Sequence, residues 1–173
     1  MHTRRAHRPP SLALHQGGFT LVELVTVILI LGVLAAVALP RYADLRGKAR
    51  EAKLAAVAGA VRSAASIVKA QAMANGVSCT SATGSVTMEG STIALNHCYP
   101  QALGSFTTGI LLAAGVPASD GWAVQGATGG ATAAALLVVQ LGNASTPANC
   151  SVSYTSPAGA DQRPVISSVS TGC

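Results

Sequence analysis

Charged and aromatic side chains are scarce in this chain: 10% of its 173 residues are Asp, Glu, Lys or Arg, and 3% are aromatic. That poverty excludes a disordered polyelectrolyte and a highly charged helical bundle, and the length is that of one domain with an appended segment. Histidine is sparse as well. His2, His7 and His15 precede residue 18, which leaves His97 alone for any catalytic triad in the rest of the chain. The four cysteines, Cys79, Cys98, Cys150 and Cys173, have no CxxC spacing, which argues against redox and structural zinc centres. A zinc site built from His97, Cys79 and Cys98 fits no ligand spacing of known type, and disulfides are the simpler use of these thiols. The stretch Gly126-Ala127-Thr128-Gly129-Gly130 lacks the Lys-Ser/Thr pair of a phosphate-binding loop and reads as a flexible loop. There is no repeat of solenoid length. These absences point away from an enzyme, and no metal or cofactor is expected.

What the chain has in surplus is apolar side chains, 50% of the total. Residues 19–39, FTLVELVTVILILGVLAAVAL, contain one ionisable group, Glu23. As a helix this run is about 32 Å long, enough to cross the hydrocarbon core of a bilayer. Residues 1–18 are basic and polar and hold no apolar core of a secretory signal. The small residues Gly17 and Gly18 stand before the apolar run, so a cut at that pair leaves the run as the mature N-terminus. Pro40 removes one helical hydrogen bond, yet strong helix formers flank it on both sides, which predicts a kink without a break. From there Leu54, Val57, Val61, Ala64, Ala65, Val68 and Ala72 mark one face at helical spacing, beside a charged row of Asp44, Lys48 and Glu51. The expectation is one long, gently bent helix from residue 19 to about 74, stopped by Asn75 and Gly76.

Beyond Gly76 the period shortens. Residues 85–89 and 92–96, with Gly90-Ser91 between them, read as a hairpin; residues 105–115 read as a short helix ended by Gly115 and Pro117. Residues 122–125, 133–141, 151–154 and 165–169 read as strands, the second of them a buried one. The fold class is therefore α+β, with the amphipathic half of the helix laid on a small antiparallel sheet. The four cysteines allow three pairings. Cys79–Cys98 with Cys150–Cys173 is favoured, because each closes a short loop worth roughly 3 kcal/mol in the chain-entropy picture. Disulfides imply an oxidising compartment such as the periplasm or cell exterior.

The net charge of +5 divides unevenly. Seven of the eleven Lys and Arg residues lie between positions 41 and 69, against Asp44 and Glu51, whereas from residue 76 onward Arg163 faces Glu89, Asp120 and Asp161. A basic groove on the distal part is not expected, so a nucleic-acid partner is left uncertain.

Glu23 is the informative residue. A carboxylate inside an apolar helix costs around 2.5–3.5 kcal/mol at the bilayer centre on insertion scales. A chain cut after Gly18 would place a new amine about 6 Å along the axis from it, so that each amine could neutralise a neighbour's Glu23. The plainer alternative is a carboxylate snorkelling at the membrane surface, favoured by the helix dipole.

Gly18-Phe19-Thr20-Leu21-Val22-Glu23, followed by an apolar run to Pro40, closely resembles the prepilin signature of type IV pilins and the related pseudopilins of type II secretion. Glu89-Gly90, Tyr99-Pro100 and Ala113-Ala114-Gly115 resemble pilins of the mannose-sensitive haemagglutinin type, and the ending from Cys150 to Cys173 is similar to a pilin C-terminal disulfide loop. The resemblance implies cleavage between Gly18 and Phe19 by a prepilin peptidase, N-methylation of Phe19, and a role for Glu23 in pairing with a neighbour's amine during assembly. It also implies that helicity can be lost between Gly32 and Pro40 in a filament. The domains would be a cleaved leader (1–18), a transmembrane and filament-core helix (19–40), an amphipathic helix half (41–75) and a disulfide-stapled globular part (76–173). Implied partners are copies of the chain itself in a helical homopolymer, the peptidase, the pilus assembly machinery and, before assembly, the inner membrane. Two features depart from the family pattern: the leader is long, and Arg41, Arg46, Lys48, Arg50 and Lys53 after the span would by simple counting put the distal part inside. The disulfides and a cytoplasm-facing peptidase argue the reverse, with the C-terminal part periplasmic and later on an extracellular pilus. The rival readings are a pseudopilin, a minor pilin acting as adhesin or DNA-uptake receptor, and a membrane-tethered enzyme.

Overall fold

The computed structural model describes residues 18–126 and 128–173, with the side chains of Ala43 and Asp44 set aside; residues 1–17, with His2, His7, His15 and Gly17, lie outside them. The chain divides into two units, one reaching Tyr42 and the other Ala43–Cys173. Helix α1 runs over Leu21–Ala74, with Pro40 inside it. In the first unit every described side chain of the apolar stretch is exposed.

The second unit has a core, and the helix face read from spacing forms it. Leu54, Val61, Ala64, Ala65, Val68 and Ala72 are buried, with Ala58 added and Val57 partly covered. The helix ends as its residues dictate. Gly76 takes the left-handed conformation (φ 71°), its N–H reaches the Met73 carbonyl at 3.1 Å, and the Val77 N–H reaches the Ala72 carbonyl at 2.9 Å. These two bonds satisfy carbonyls that the last turn leaves open, and Val77 packs against the core beside Ala72.

Among the described residues seven strands follow, arranged as two antiparallel sheets where one was expected. The first is a meander of β1 (Gly84–Met88), β2 (Ser91–Asn96) and β3 (Tyr99–Pro100). A short helix α2 (Gly109–Ala113) leads to the second sheet, β4 (Trp122–Val124), β5 (Leu136–Leu141), β6 (Ser151–Thr155) and β7 (Val165–Val169), in sequential order. Each sheet has its own stretch of α1. Leu54, Ala58, Val61, Ala64 and Ala65 share a cluster with Ile110, Leu111, Trp122, Leu137, Val139, Leu141, Val152 and Tyr154, whereas Val68 and Ala72 pack with Val86, Ile93 and Leu95. The many alanines on the helix face let strand side chains approach its backbone closely, and each fully buried Leu or Val contributes about 1.5–3 kcal/mol.

Several local expectations are corrected. The hairpin turns at Glu89-Gly90, one residue before the expected Gly90-Ser91, and Met88 pairs with Ser91. Apolar alternation suits either register, since Val86 can face Ile93 or Leu95. Glu89 (φ 49°) and Gly90 (φ 77°) both adopt left-handed backbone, the geometry a two-residue turn needs to follow the strand twist. Helix α2 is shorter than residues 105–115, because Gly109 is left-handed (φ 68°) and the Ser105 hydroxyl turns the chain by accepting the Thr107 N–H at 3.2 Å. Strand β5 is buried on alternate residues only, since the core covers one face of its sheet.

Around the glycine-rich segment the chain is packed where a flexible loop was expected. Gly129 donates to the Leu136 carbonyl, Gly130 donates to the Ala102 carbonyl, and the Thr128 hydroxyl accepts the Val138 N–H at 3.1 Å. A Cβ on Gly129 would lie 2.6 Å from the Gly104 nitrogen and 2.8 Å from the Ala102 oxygen, on backbone of φ +104°.

Both favoured disulfides are present. Cys79–Cys98 spans 19 residues and fastens the segment after α1 to the β2–β3 turn; Cys150–Cys173 spans 23 and fastens the start of β6 to residue 173. The Arg50 guanidinium donates to the Cys173 carbonyl at 3.0 Å, so the second loop is also held to α1.

Gly129→Ala is expected to destabilise the second unit by about 2 kcal/mol or more, read as a lower denaturant midpoint, because the obstructing atoms are backbone and cannot swing aside as a flexible side chain would. Tyr154 gives a pH-dependent test. Its hydroxyl donates to the Pro100 carbonyl at 2.7 Å, and burial, then the neighbouring Tyr99, pushes its phenol well above the ordinary value. The folded state therefore holds this proton more tightly than the unfolded chain, so its contribution is complete below about pH 10 and is lost as pH rises beyond that. Tyr154→Phe should lower the melting temperature at neutral pH and flatten the part of the alkaline decline due to this group.

Candidate functional site at the N-terminal helix

The residues singled out in the sequence fall at the start of α1. Gly18, Phe19 and Thr20 precede the first helical residue, Leu21, and Phe19 is 92% exposed. Thr20 and Glu23 form a reciprocal cap. Glu23 Oε2 accepts the Thr20 N–H at 2.8 Å and the Thr20 hydroxyl at 2.9 Å, while the Glu23 N–H donates to Thr20 Oγ1 at 3.2 Å. This is the S/T-x-x-E arrangement, which satisfies two backbone donors that a helix start otherwise leaves open. In an apolar medium each such donor would cost several kcal/mol, so the cap suits the segment to a membrane. The motif was present in the sequence as Thr20-Leu21-Val22-Glu23; reading Glu23 only as a charge in an apolar run passed over it.

Both hydrogen bonds to the carboxylate fall on Oε2, and among the described residues no cation pairs with Glu23. Its second oxygen is therefore open to a donor from outside the chain. The carboxylate also lies at the positive end of the helix dipole. Past it, α1 is long and apolar enough to cross a membrane by length and composition, and none of that stretch is buried among the described residues. Gly32 and Pro40 are both helical, and nothing lies within 4 Å of where a Cβ on Gly32 would stand.

Residues 14–39 match the family model described as the prokaryotic N-terminal methylation motif. Among curated relatives, the type IV narrow pilus major component of Thermus thermophilus is 53% identical over 55 residues, 32% of this chain and 47% of that protein. A type IV major pilin protein of Neisseria gonorrhoeae is 49% identical over 49 residues, 28% of this chain and 30% of its own length. A fimbrial protein of Pseudomonas aeruginosa is 40% identical over 50 residues, 29% of this chain and 32% of its own. By that motif and these relatives the chain is similar to type IV pilins. The chain thus spans about a third to a half of the curated relatives it matches. No solved structure matches the chain.

Away from the N-terminus, the remaining candidates resolve into structural parts. Cys79 and Cys98 are joined to each other, so they are not zinc ligands, and His97 Nδ1 lies 3.0 Å from the Cys79 carbonyl oxygen. No group of three or more potential ligands gathers among the described residues. Trp122 and Tyr99 are buried anchors. The Lys53 ammonium sits 5.7 Å from the Trp122 ring centroid and Lys69 sits 4.7 Å from that of Tyr99, contacts with no signal in local spacing.

Proposed function

We propose that the chain is the precursor of a type IV pilus subunit, a structural protein that polymerises and catalyses nothing. The observation that carries this reading is the helix start: an apolar helix exposed on every side, with one carboxylate capped on one oxygen and open on the other. A cut between Gly18 and Phe19 by a prepilin peptidase, on the cytoplasmic face of the inner membrane, would convert Phe19 into a free, then methylated, amine. Residues 1–18 would be the discarded leader. Residues 19–40 would anchor the subunit with its C-terminal part in the periplasm, where the two disulfides form, and would become filament core once the pilus machinery extracts it.

Lipid tails and neighbouring apolar helices are similar environments, so transfer between them changes the apolar term little. Register must then come from polar groups and shape. The open oxygen of Glu23 can accept a neighbour's N-terminal amine, giving each subunit one donor and one acceptor, the head-to-tail complementarity that a helical polymer needs. Gly32 and Pro40 supply the weak points at which the helix can unwind when packed in a filament. Residues 41–75 and 76–173 would form the surface of that filament. Within the pilins, we assign the globular part to the mannose-sensitive haemagglutinin type, on Glu89-Gly90 at the β1–β2 turn, Tyr99-Pro100 as β3 and Ala113-Ala114-Gly115 at the end of α2.

Gly18→Glu is expected to block processing, leaving residues 1–18 on the chain by mass spectrometry; a mature N-terminus still at Phe19 would contradict the cut site. The charge and the cap of Glu23 are separable. Glu23→Gln keeps an acceptor for Thr20 but removes the charge, whereas Thr20→Val removes the cap hydroxyl and keeps the charge. Electron microscopy of sheared surface material should show Glu23→Gln and Glu23→Ala processed normally with filaments lost or strongly reduced, and Thr20→Val retaining them. Normal piliation with Glu23→Gln would reject amine pairing.

A further inference from the structure

The second unit carries a feature that the charge balance of its distal part does not suggest. Arg163, the one cation after residue 76, lies in the same open groove as Arg62 and Lys69 of α1. The groove has a volume of about 480 Å³ and no carboxylate lines it; Asp161 stands outside the lining. Lys69 is half-buried and fixed, donating to the Tyr99 hydroxyl at 3.2 Å with its ammonium over the Tyr99 ring, while Arg62 and Arg163 are exposed. Among the described residues none of the three is ion-paired. Three like charges gathered in one concave site raise the local potential and repel one another until an anion enters.

We propose that this groove between α1 and the segment entering β7 binds an acidic saccharide. Arg62 and Lys69 are seven residues apart, about 10 Å along the helix axis, a span too long for one phosphate and suited to a disaccharide bearing two acidic groups. The guanidinium groups present paired donors to carboxylate or sulfate. Met73, Pro164 and Ile166 offer apolar surface to the sugar ring, and Ser66 a hydroxyl. A duplex needs a longer stripe of cations along its backbone, whereas the lining of this groove holds three. The site uses the second unit alone and does not depend on the filament reading.

The test is calorimetric titration of the full chain in neutral detergent with a sulfated chondroitin disaccharide. Inorganic phosphate, uncharged N-acetyllactosamine, tetraglutamate and a 12-base-pair duplex serve as comparisons. Saturable binding of the acidic disaccharide is expected, weakened by added salt and by about tenfold or more in Arg62→Gln and in Arg163→Gln. Lys48→Gln, an exposed lysine outside the groove, should leave it unchanged. Both arginines are exposed, so unchanged melting curves will verify that the variants fold. The proposal is overturned if no binding is detected, if both arginine variants bind as the parent does, or if any comparison ligand binds as tightly.

Discussion

The constraint on which the molecule turns is that the first half of α1 is exposed on every side among the described residues. Fourteen large apolar side chains between Phe19 and Leu39 are exposed around the full circumference, each worth about 1.5–3 kcal/mol when removed from water. The sum is on the order of tens of kcal/mol, larger than the whole stability of an ordinary domain. No rearrangement of a small, alanine-rich globular part can supply that area. The chain must meet a bilayer or other apolar helices, and everything polar in that stretch is subordinate to this requirement. The reciprocal cap is one consequence, since a helix start without it would carry open donors into hydrocarbon.

After Pro40 the same helix serves a different purpose, and the change is written in its composition. Alanine replaces leucine and valine, charges enter the sequence, and a single apolar face is buried. That face is long enough to serve two sheets in succession, which is why the strands divide between two clusters. A disulfide reinforces each part. Cys79–Cys98 lies with the smaller sheet, and Cys150–Cys173, with Arg50 on the Cys173 carbonyl, closes the larger.

Signals that act over a few residues were legible before the fold was known. The helix and its stop at Gly76, its buried face, strand β7, and the two short disulfide loops all follow from periodicity, turn chemistry or loop length. Where two local answers were equally apolar, as in the Glu89-Gly90 turn, backbone geometry decided and hydrophobic pattern could not. The division into two sheets depends on how α1 is shared between strands far apart in sequence, and no local window contains that. Arg163 joins Arg62 and Lys69 across about a hundred residues, so a count of charges by segment separates groups that the fold brings together. Thr20 shows the opposite failure: its cap is a four-residue motif, legible in principle, but the charge of Glu23 drew the whole explanation.

The cap and the proposed assembly role are compatible because a carboxylate has more acceptor sites than one neighbour can fill. Thr20 engages Oε2, which fixes the rotamer of Glu23 and restrains the carboxylate. A restrained acceptor loses less entropy on meeting a second donor than a freely rotating one. In the proposed assembly, an amine arriving from another copy would therefore meet a group already oriented. The charge that makes the segment costly in lipid, by up to a few kcal/mol, would then be neutralised only in the assembled state. Such a group would favour assembly through its ground state as well as through its partner: it would destabilise the solitary helix in the membrane and stabilise the packed one. A neutral acceptor of the same shape could cap the helix equally well, but it would remove that difference between the two states.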